Sequence, residues 1–125
     1  MWIVLGAISG FVAVAAGAFG AHGLKARLAP DLLAVFETGS RYQLIHALAL
    51  VLVGVLALRL TPEARASGVL GVAGWLFAAG TLLFSGSLYL LALSGQRVLG
   101  AVTPLGGLCF LAGWLALAWA GWLSR

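Results

Sequence analysis

Residues 66–93 read ASGVLGVAGWLFAAGTLLFSGSLYLLAL and contain no Asp, Glu, Lys or Arg. About 20 apolar residues of helix, each rising about 1.5 Å, cross the hydrocarbon core of a bilayer, so this run is long enough to span a membrane. Three more uncharged runs of spanning length lie at 2–21, 42–58 and 98–123. The sequence therefore predicts one membrane domain, 1–125, with spans at about 2–21, 41–60, 67–93 and 99–123.

The composition excludes the main alternative classes. With 63% hydrophobic and 8% charged residues, a soluble domain of 125 residues would lack the polar surface to cover itself. A membrane β-barrel would alternate polar and apolar residues, which these runs do not. The net charge of +4 is scattered over helix ends without forming a basic stripe. We therefore predict an all-α integral membrane four-helix bundle whose partner is the lipid bilayer, and no nucleic-acid partner.

An even number of spans places the middle loop, 61–65, and both termini on one side of the membrane, here called the terminal side. The first and third loops lie on the other, the loop side. Three basic side chains fall on the terminal side and four on the loop side, so the positive-inside rule leaves the orientation open. Trp2, Trp119 and Trp122 are predicted to form an aromatic belt at the terminal-side interface.

The long connection between the first two spans is predicted to contain a short interfacial helix. Apolar residues recur every four positions from Leu24 to Phe36, with charged residues off that line. Because proline suits the first turn of a helix, the predicted helix begins at Pro30 and runs to Thr38. Gly39 is predicted to break it before the second span begins.

Small residues mark the faces through which the spans pack, because helices in lipid associate by close backbone approach. On three spans they recur at steps of three and four along one face. The predicted packing faces are Gly6, Gly10, Ala13, Gly17 and Gly20; Gly71, Gly74, Ala78, Thr81 and Ser85; and Gly106, Cys109, Gly113, Ala116 and Ala120.

Polar side chains collect in the loop-side half of the bundle, while the other half is nearly all hydrocarbon and glycine. Polar groups in hydrocarbon must be paired, so these residues should face one another or a wet pocket. They are therefore the candidate binding residues: His22, Glu37, Arg41, Tyr42, Gln43, His46, Ser85, Ser87, Tyr89 and Thr103.

Several interpretations of these residues stay open. His46 is interpreted as a structural hydrogen-bonding residue, as a ligand or proton site, or as a metal or haem ligand with His22. Glu37 and Arg41, four residues apart, are expected to form an interfacial ion pair if the helix continues through Gly39. No acid is positioned to orient a Ser-His pair. We predict no catalytic residue, no metal and no cofactor.

Seven short motifs, in order along the chain, carry a resemblance to a known family. They are GAFGAHGL at 17–24, FETG at 36–39, RYQ at 41–43, HALA at 46–49, FSGSLY at 84–89, TPLGG at 103–107 and GW at 113–114. The chain resembles the small bacterial membrane proteins of domain of unknown function family 423, and is similar to the related eukaryotic transmembrane protein 256. The resemblance implies a four-span protein of the inner membrane and supplies neither an activity nor catalytic residues.

Three functions agree with these observations. The first is a non-enzymatic bundle that binds a small ligand, a lipid or a protein partner at the loop-side polar residues. The second is a small transporter or channel acting as a homo-oligomer, although the apolar terminal-side half offers no polar relay. The third is an accessory or assembly subunit of a larger membrane complex.

Overall fold

The computed structural model describes all 125 residues and contains helices and no strand. Four helical segments are long and apolar enough to cross a membrane, which confirms the predicted four-span architecture. Span 1 is Trp2–Leu24, span 2 is Pro30–Ala57, span 3 is Arg65–Ser94 and span 4 is Arg97–Leu123.

Two of the spans contain a π-helical turn and one begins with a 3-10 turn. Span 1 is the helix α1, Trp2–Phe19, followed by a π turn, Gly20–Leu24. Span 2 is the single helix α2, Pro30–Ala57. Span 3 joins α3, Arg65–Gly80, through a π turn, Thr81–Ser85, to α4, Gly86–Ser94. Span 4 is a 3-10 turn, Arg97–Ala101, and then α5, Thr103–Leu123.

The predicted interfacial helix is not a separate element. Its predicted start at Pro30 is confirmed, but the predicted break at Gly39 is wrong, because α2 runs through this residue into the second span. Gly39 is buried, and a Cβ placed there would lie 3.0 Å from the Tyr89 ring. The glycine therefore permits close approach of span 3 rather than ending a helix.

Spans 2 and 3 form the centre of the bundle, and spans 1 and 4 flank them. The buried share of the membrane-spanning window is 44% for span 2 and 33% for span 3, against 17% for each of the other two. Span 1 packs on span 2 and span 4 on span 3, so the bundle consists of two helical hairpins joined along its middle. The largest group of core residues is Trp2, Ala49, Leu50, Val53, Leu70, Ala73, Phe77, Phe110 and Ala120.

The predicted small-residue faces of spans 1 and 4 are confirmed. A Cβ added at Gly6 would lie 2.7 Å from the carbonyl oxygen of Ala47, and one added at Gly113 would lie 2.7 Å from the Phe77 ring. At Gly106 the added atom would overlap the backbone of Phe84. These glycines allow each hairpin to close with its two helices in direct contact.

The predicted face of span 3 is correct at Gly74 and Ser85, which are buried, and one residue out of register at the other three positions. Gly71, Ala78 and Thr81 are only partly buried, and a Cβ at Gly71 would meet open space. The residues that step along the buried face are Ala66, Leu70, Ala73, Phe77 and Gly80, and then Ser85, Leu88 and Ala92. The step of five from Gly80 to Ser85 is the extra residue of the π turn, which rotates one half of the span against the other.

Trp2 does not belong to the predicted aromatic belt. It is 8% exposed and lies over Gly74, where a Cβ would come within 2.7 Å of its ring. It also contacts Trp75 edge to face, with ring centroids 5.3 Å apart. Trp119 and Trp122 are exposed, as the belt requires. Trp2 therefore anchors the beginning of span 1 to span 3.

Two glycines on the same face of span 1 provide a matched test of this packing. We expect Gly6→Ala to destabilise the bundle by about 1–3 kcal/mol, because its Cβ would meet backbone atoms that cannot move aside. Gly10→Ala would place a Cβ 3.7 Å from the Ala47 Cβ, an ordinary contact, and should be neutral or slightly stabilising. Unfolding of both variants in mixed micelles measures the difference. Equal stability of the two would contradict the packing.

Candidate functional site

The polar residues of the loop-side half fall into three groups. Some bond one span to another, two line a groove between spans 2 and 4, and the rest lie exposed near the first loop. Only the first two groups lie between helices.

Gln43 ties span 2 to both of its neighbours. Its side-chain Nε2 donates to the carbonyl oxygen of Ser9 at 3.2 Å and lies 3.4 Å from the Ser9 hydroxyl. Its Oε1 accepts from the Tyr89 hydroxyl at 2.7 Å. One buried amide therefore joins spans 1, 2 and 3 at the same level of the membrane.

Serine hydroxyls reinforce the same contacts. Ser40 donates to the carbonyl oxygen of Ala13 on span 1 at 3.0 Å, and Ser85 donates to that of Gly39 on span 2 at 2.7 Å. The hydroxyls of Ser87 and Thr103 lie 2.7 Å apart and join span 3 to span 4. No buried side-chain polar atom lacks a hydrogen-bond partner.

The structure shows three polar partners that sequence reasoning missed: Ser9, Ser40 and Trp114. Ser9 offered a signal, because it is the only polar residue in the uncharged run of span 1 and lies beside the predicted glycine face. The Trp114 indole offered none, because tryptophan is also a common lipid-facing residue.

Both ring nitrogens of His46 are engaged. Nδ1 lies 2.7 Å from the carbonyl oxygen of Tyr42, which can only accept, so Nδ1 carries the proton. Nε2 then accepts from the indole N–H of Trp114 on span 4 at 3.2 Å. The imidazole also lies flat against Phe110, with centroids 3.4 Å apart and planes 5° apart. This geometry supports the structural interpretation of His46, since a metal at Nε2 would have to displace Trp114.

A groove of about 640 Å³ lies between spans 2 and 4 and opens sideways from the bundle. We call it the aromatic groove, because its walls are dominated by rings. Its lining includes Tyr42, His46, Phe84, Phe110 and Trp114, with Gly107 beside them. Tyr42 is 40% exposed, and its hydroxyl makes no hydrogen bond within the protein. Among the predicted site residues, Tyr42 and His46 are the two that the groove brings together.

His22, Glu37 and Arg41 are exposed and are not part of either arrangement. The ion pair expected between Glu37 and Arg41 is absent, although the helix does continue through Gly39. The single ion pair joins Asp31 to Arg97 at 3.8 Å, with both side chains mostly exposed. Exposed charges gain little from pairing, so two neighbouring ones remain separately solvated.

The two tyrosines provide a matched test of the hydrogen-bond network. Tyr89→Phe removes the donor to Gln43 and leaves its Oε1 unpaired, so we expect a loss of about 1 kcal/mol in unfolding free energy. Tyr42→Phe removes a hydroxyl without a protein partner and should leave the stability unchanged. Denaturation of both variants in the same detergent compares them. Equal losses of unfolding free energy in the two variants would show that the hydrogen bond from Tyr89 to Gln43 does not stabilise the bundle.

Comparison with known proteins agrees with this architecture. The model of a family described as a protein of unknown function (DUF423) matches residues 16–107. The UPF0382 membrane protein YwdK of Bacillus subtilis is 45% identical over 94% of this chain and 92% of its own length. A UPF0382 membrane protein of Haemophilus influenzae is 44% identical over 99% of this chain and 95% of its own.

A UPF0382 membrane protein of Staphylococcus haemolyticus, SH2409, is 45% identical over 94% of this chain and 91% of its own length. No solved structure matches the chain. The names of these relatives state a membrane location and no activity. Four membrane-spanning helices, the family match and these relatives together lead to one conclusion: the chain is a multi-pass membrane protein that belongs to the DUF423 family.

Proposed function

We propose that this protein is a non-enzymatic membrane protein that binds a lipid-soluble molecule in the aromatic groove. The observation that carries the proposal is the distribution of polar partners. Hydroxyl and amide groups inside the bundle are used to join the spans, whereas Tyr42 lines the groove and its hydroxyl has no protein partner.

The size and opening of the groove suit a ligand from the bilayer. Small-molecule sites in proteins occupy about 300–1,000 Å³, are mostly apolar and contain a few polar groups. The aromatic groove, at about 640 Å³, is within that range. Because it opens sideways between two spans, its occupant would enter from the surrounding lipid.

The walls favour a particular ligand chemistry. Flat apolar groups can pack on Phe84, Phe110 and Trp114. These rings already contact neighbouring rings, stacked for Phe110 on His46, tilted for Phe84 on Phe110 and edge to face for Trp114 on Phe77. Tyr42 lies one residue after the charged Arg41, near the loop-side interface, and can donate to or accept from one polar group. The favoured ligand is an amphiphile with an unsaturated or ring-bearing apolar body and a polar head.

The engaged side chains favour binding over catalysis. Ser85 and Ser87 both donate to backbone carbonyl groups, and His46 uses one ring nitrogen on Tyr42 and the other on Trp114. A nucleophile or a general base would first have to break these bonds between or within helices.

The packing of the bundle supports transport less well than it supports ligand binding. The main core of the bundle is built from apolar residues such as Leu50, Val53 and Phe77, each at most 2% exposed. A polar solute crossing a single bundle would have to displace this core. The experiment below distinguishes a ligand-binding protein from an accessory subunit.

Filling the groove from Gly107 tests the proposal. A Cβ at this position would lie 3.9 Å from the Phe84 ring, so Gly107→Leu adds a side chain to the groove without meeting backbone. Gly86→Leu is the matched control, because a Cβ there meets nothing within 4 Å and the residue does not line the groove. The measurement is native mass spectrometry of each protein, gently extracted from its own membrane.

We expect a bound small molecule on the wild type and on Gly86→Leu, and its loss from Gly107→Leu. Tyr42→Phe should retain less of it, because the polar contact is gone while the walls remain. The same bound mass on all four proteins would place the molecule elsewhere. A co-purifying protein with no small molecule on any of them would refute ligand binding and favour the accessory-subunit role.

A further inference from the structure

A second, smaller pocket lies on the terminal side, where spans 2, 3 and 4 meet. It has a volume of about 290 Å³, and the apolar part of its lining is Leu56, Leu60, Leu70 and Ala120. Arg59, Gly121 and Ser124 complete the lining. We call it the Arg59 pocket. Its lining is therefore divided between hydrocarbon and one cationic side chain.

The position of this pocket along the membrane normal follows from its neighbours. Arg59 lies two residues beyond the end of α2 at Ala57, in the turn that leads to span 3. On span 4, Trp122 is exposed and the guanidinium of Arg125 lies 4.7 Å from its ring centroid. Exposed tryptophans beside arginine mark the level of the lipid headgroups. The pocket therefore opens at that level.

The charge of Arg59 has no ion-pair partner within the protein. Arg59 forms no ion pair, because the only ion pair in the structure lies on the loop side between Asp31 and Arg97. The hydroxyl of Ser124 donates to the carbonyl oxygen of Gly121 at 3.0 Å, so Arg59 is the group left to attract an anion.

We infer that the Arg59 pocket binds an anionic phospholipid, with the phosphate at the guanidinium of Arg59 and the first part of an acyl chain against the apolar part of the lining. An amphiphile with its charge beside its hydrocarbon matches this divided lining, and the lipid bilayer supplies it at this depth. A guanidinium binds phosphate through parallel N–H donors, and its apolar stem can lie along the pocket wall.

This site is separate from the aromatic groove. Gly121 lines the Arg59 pocket and Gly107 lines the groove, and they lie on the same helix. At about 1.5 Å per residue they are about 20 Å apart along the helix axis. Each glycine can be used to fill its own site while the other serves as the control.

The test is a titration of delipidated protein in detergent with phosphatidylglycerol and, separately, with phosphatidylcholine, followed by native mass spectrometry. We expect wild type to bind phosphatidylglycerol more tightly than phosphatidylcholine. Arg59→Gln should weaken phosphatidylglycerol binding about fivefold, the usual contribution of one basic side chain to anionic lipid binding. Arg65→Gln, on the same side of the membrane and outside the pocket, is the matched charge control.

A second pair of variants tests the pocket rather than the charge. A Cβ at Gly121 meets nothing within 4 Å, so Gly121→Leu should fold and occupy the pocket. We expect it to lose phosphatidylglycerol binding while Gly107→Leu keeps it. The inference is overturned if Arg59→Gln and Arg65→Gln weaken binding equally, if Gly121→Leu binds like wild type, or if excess inorganic phosphate displaces the lipid. If Gly121→Leu still binds phosphatidylglycerol but Gly107→Leu loses the ligand of the aromatic groove, this inference fails and the proposed function stands.

Discussion

Hydrocarbon provides no partner for a hydrogen bond, and the rest of this structure depends on that constraint. A polar side chain placed between the spans has to find its partner inside the protein, and here every buried polar atom does. Gln43 shows the result most clearly, since one amide bonds to span 1 through its Nε2 and to span 3 through its Oε1. The hydrogen bonds therefore determine which faces of the helices meet.

Glycine makes these bonds geometrically accessible. Span 1 can accept hydrogen bonds from span 2 at Ser9 and Ala13 because Gly6 lets the two backbones touch. Ser85 reaches the carbonyl oxygen of Gly39 because no Cβ at position 39 keeps span 3 away. Close approach and hydrogen bonding thus act at the same positions. Close approach without the hydrogen bonds, or the hydrogen bonds without close approach, would hold the spans together less tightly.

Much of the fold was predictable from the sequence, because an uncharged run of about 20 residues has few alternatives to a membrane span. The collection of polar residues on the loop side followed equally from their order along the chain. The hydrogen-bond partners of these residues could not be predicted in this way. The pairing of Gln43 with Ser9 and Tyr89, or of His46 with Trp114, depends on how each helix is rotated about its axis. That rotation is not encoded in spacing along a single helix.

Two of the wrong predictions have separate physical origins. Gly39 was expected to end a helix and instead permits contact, because glycine serves both purposes and its sequence neighbours do not distinguish them. The face of span 3 was assigned by regular steps of three and four, which hold only in an uninterrupted α-helix. The π turn at Thr81–Ser85 adds one residue, which puts Ser85 on the buried face while Gly71 and Ala78 lie beside that face; Gly74 is buried as predicted.

That π turn also has an evolutionary consequence. Within Thr81–Ser85, deletion of one codon would restore an ordinary α-helix, while the loops at both ends kept their lengths. The half of span 3 on one side of the deletion would turn by about 100° relative to the other half. Phe77 or Ser85 would then face lipid. Selection should therefore act against single-residue gaps at this position, and a lineage that tolerates one must have changed the surfaces on which span 3 packs.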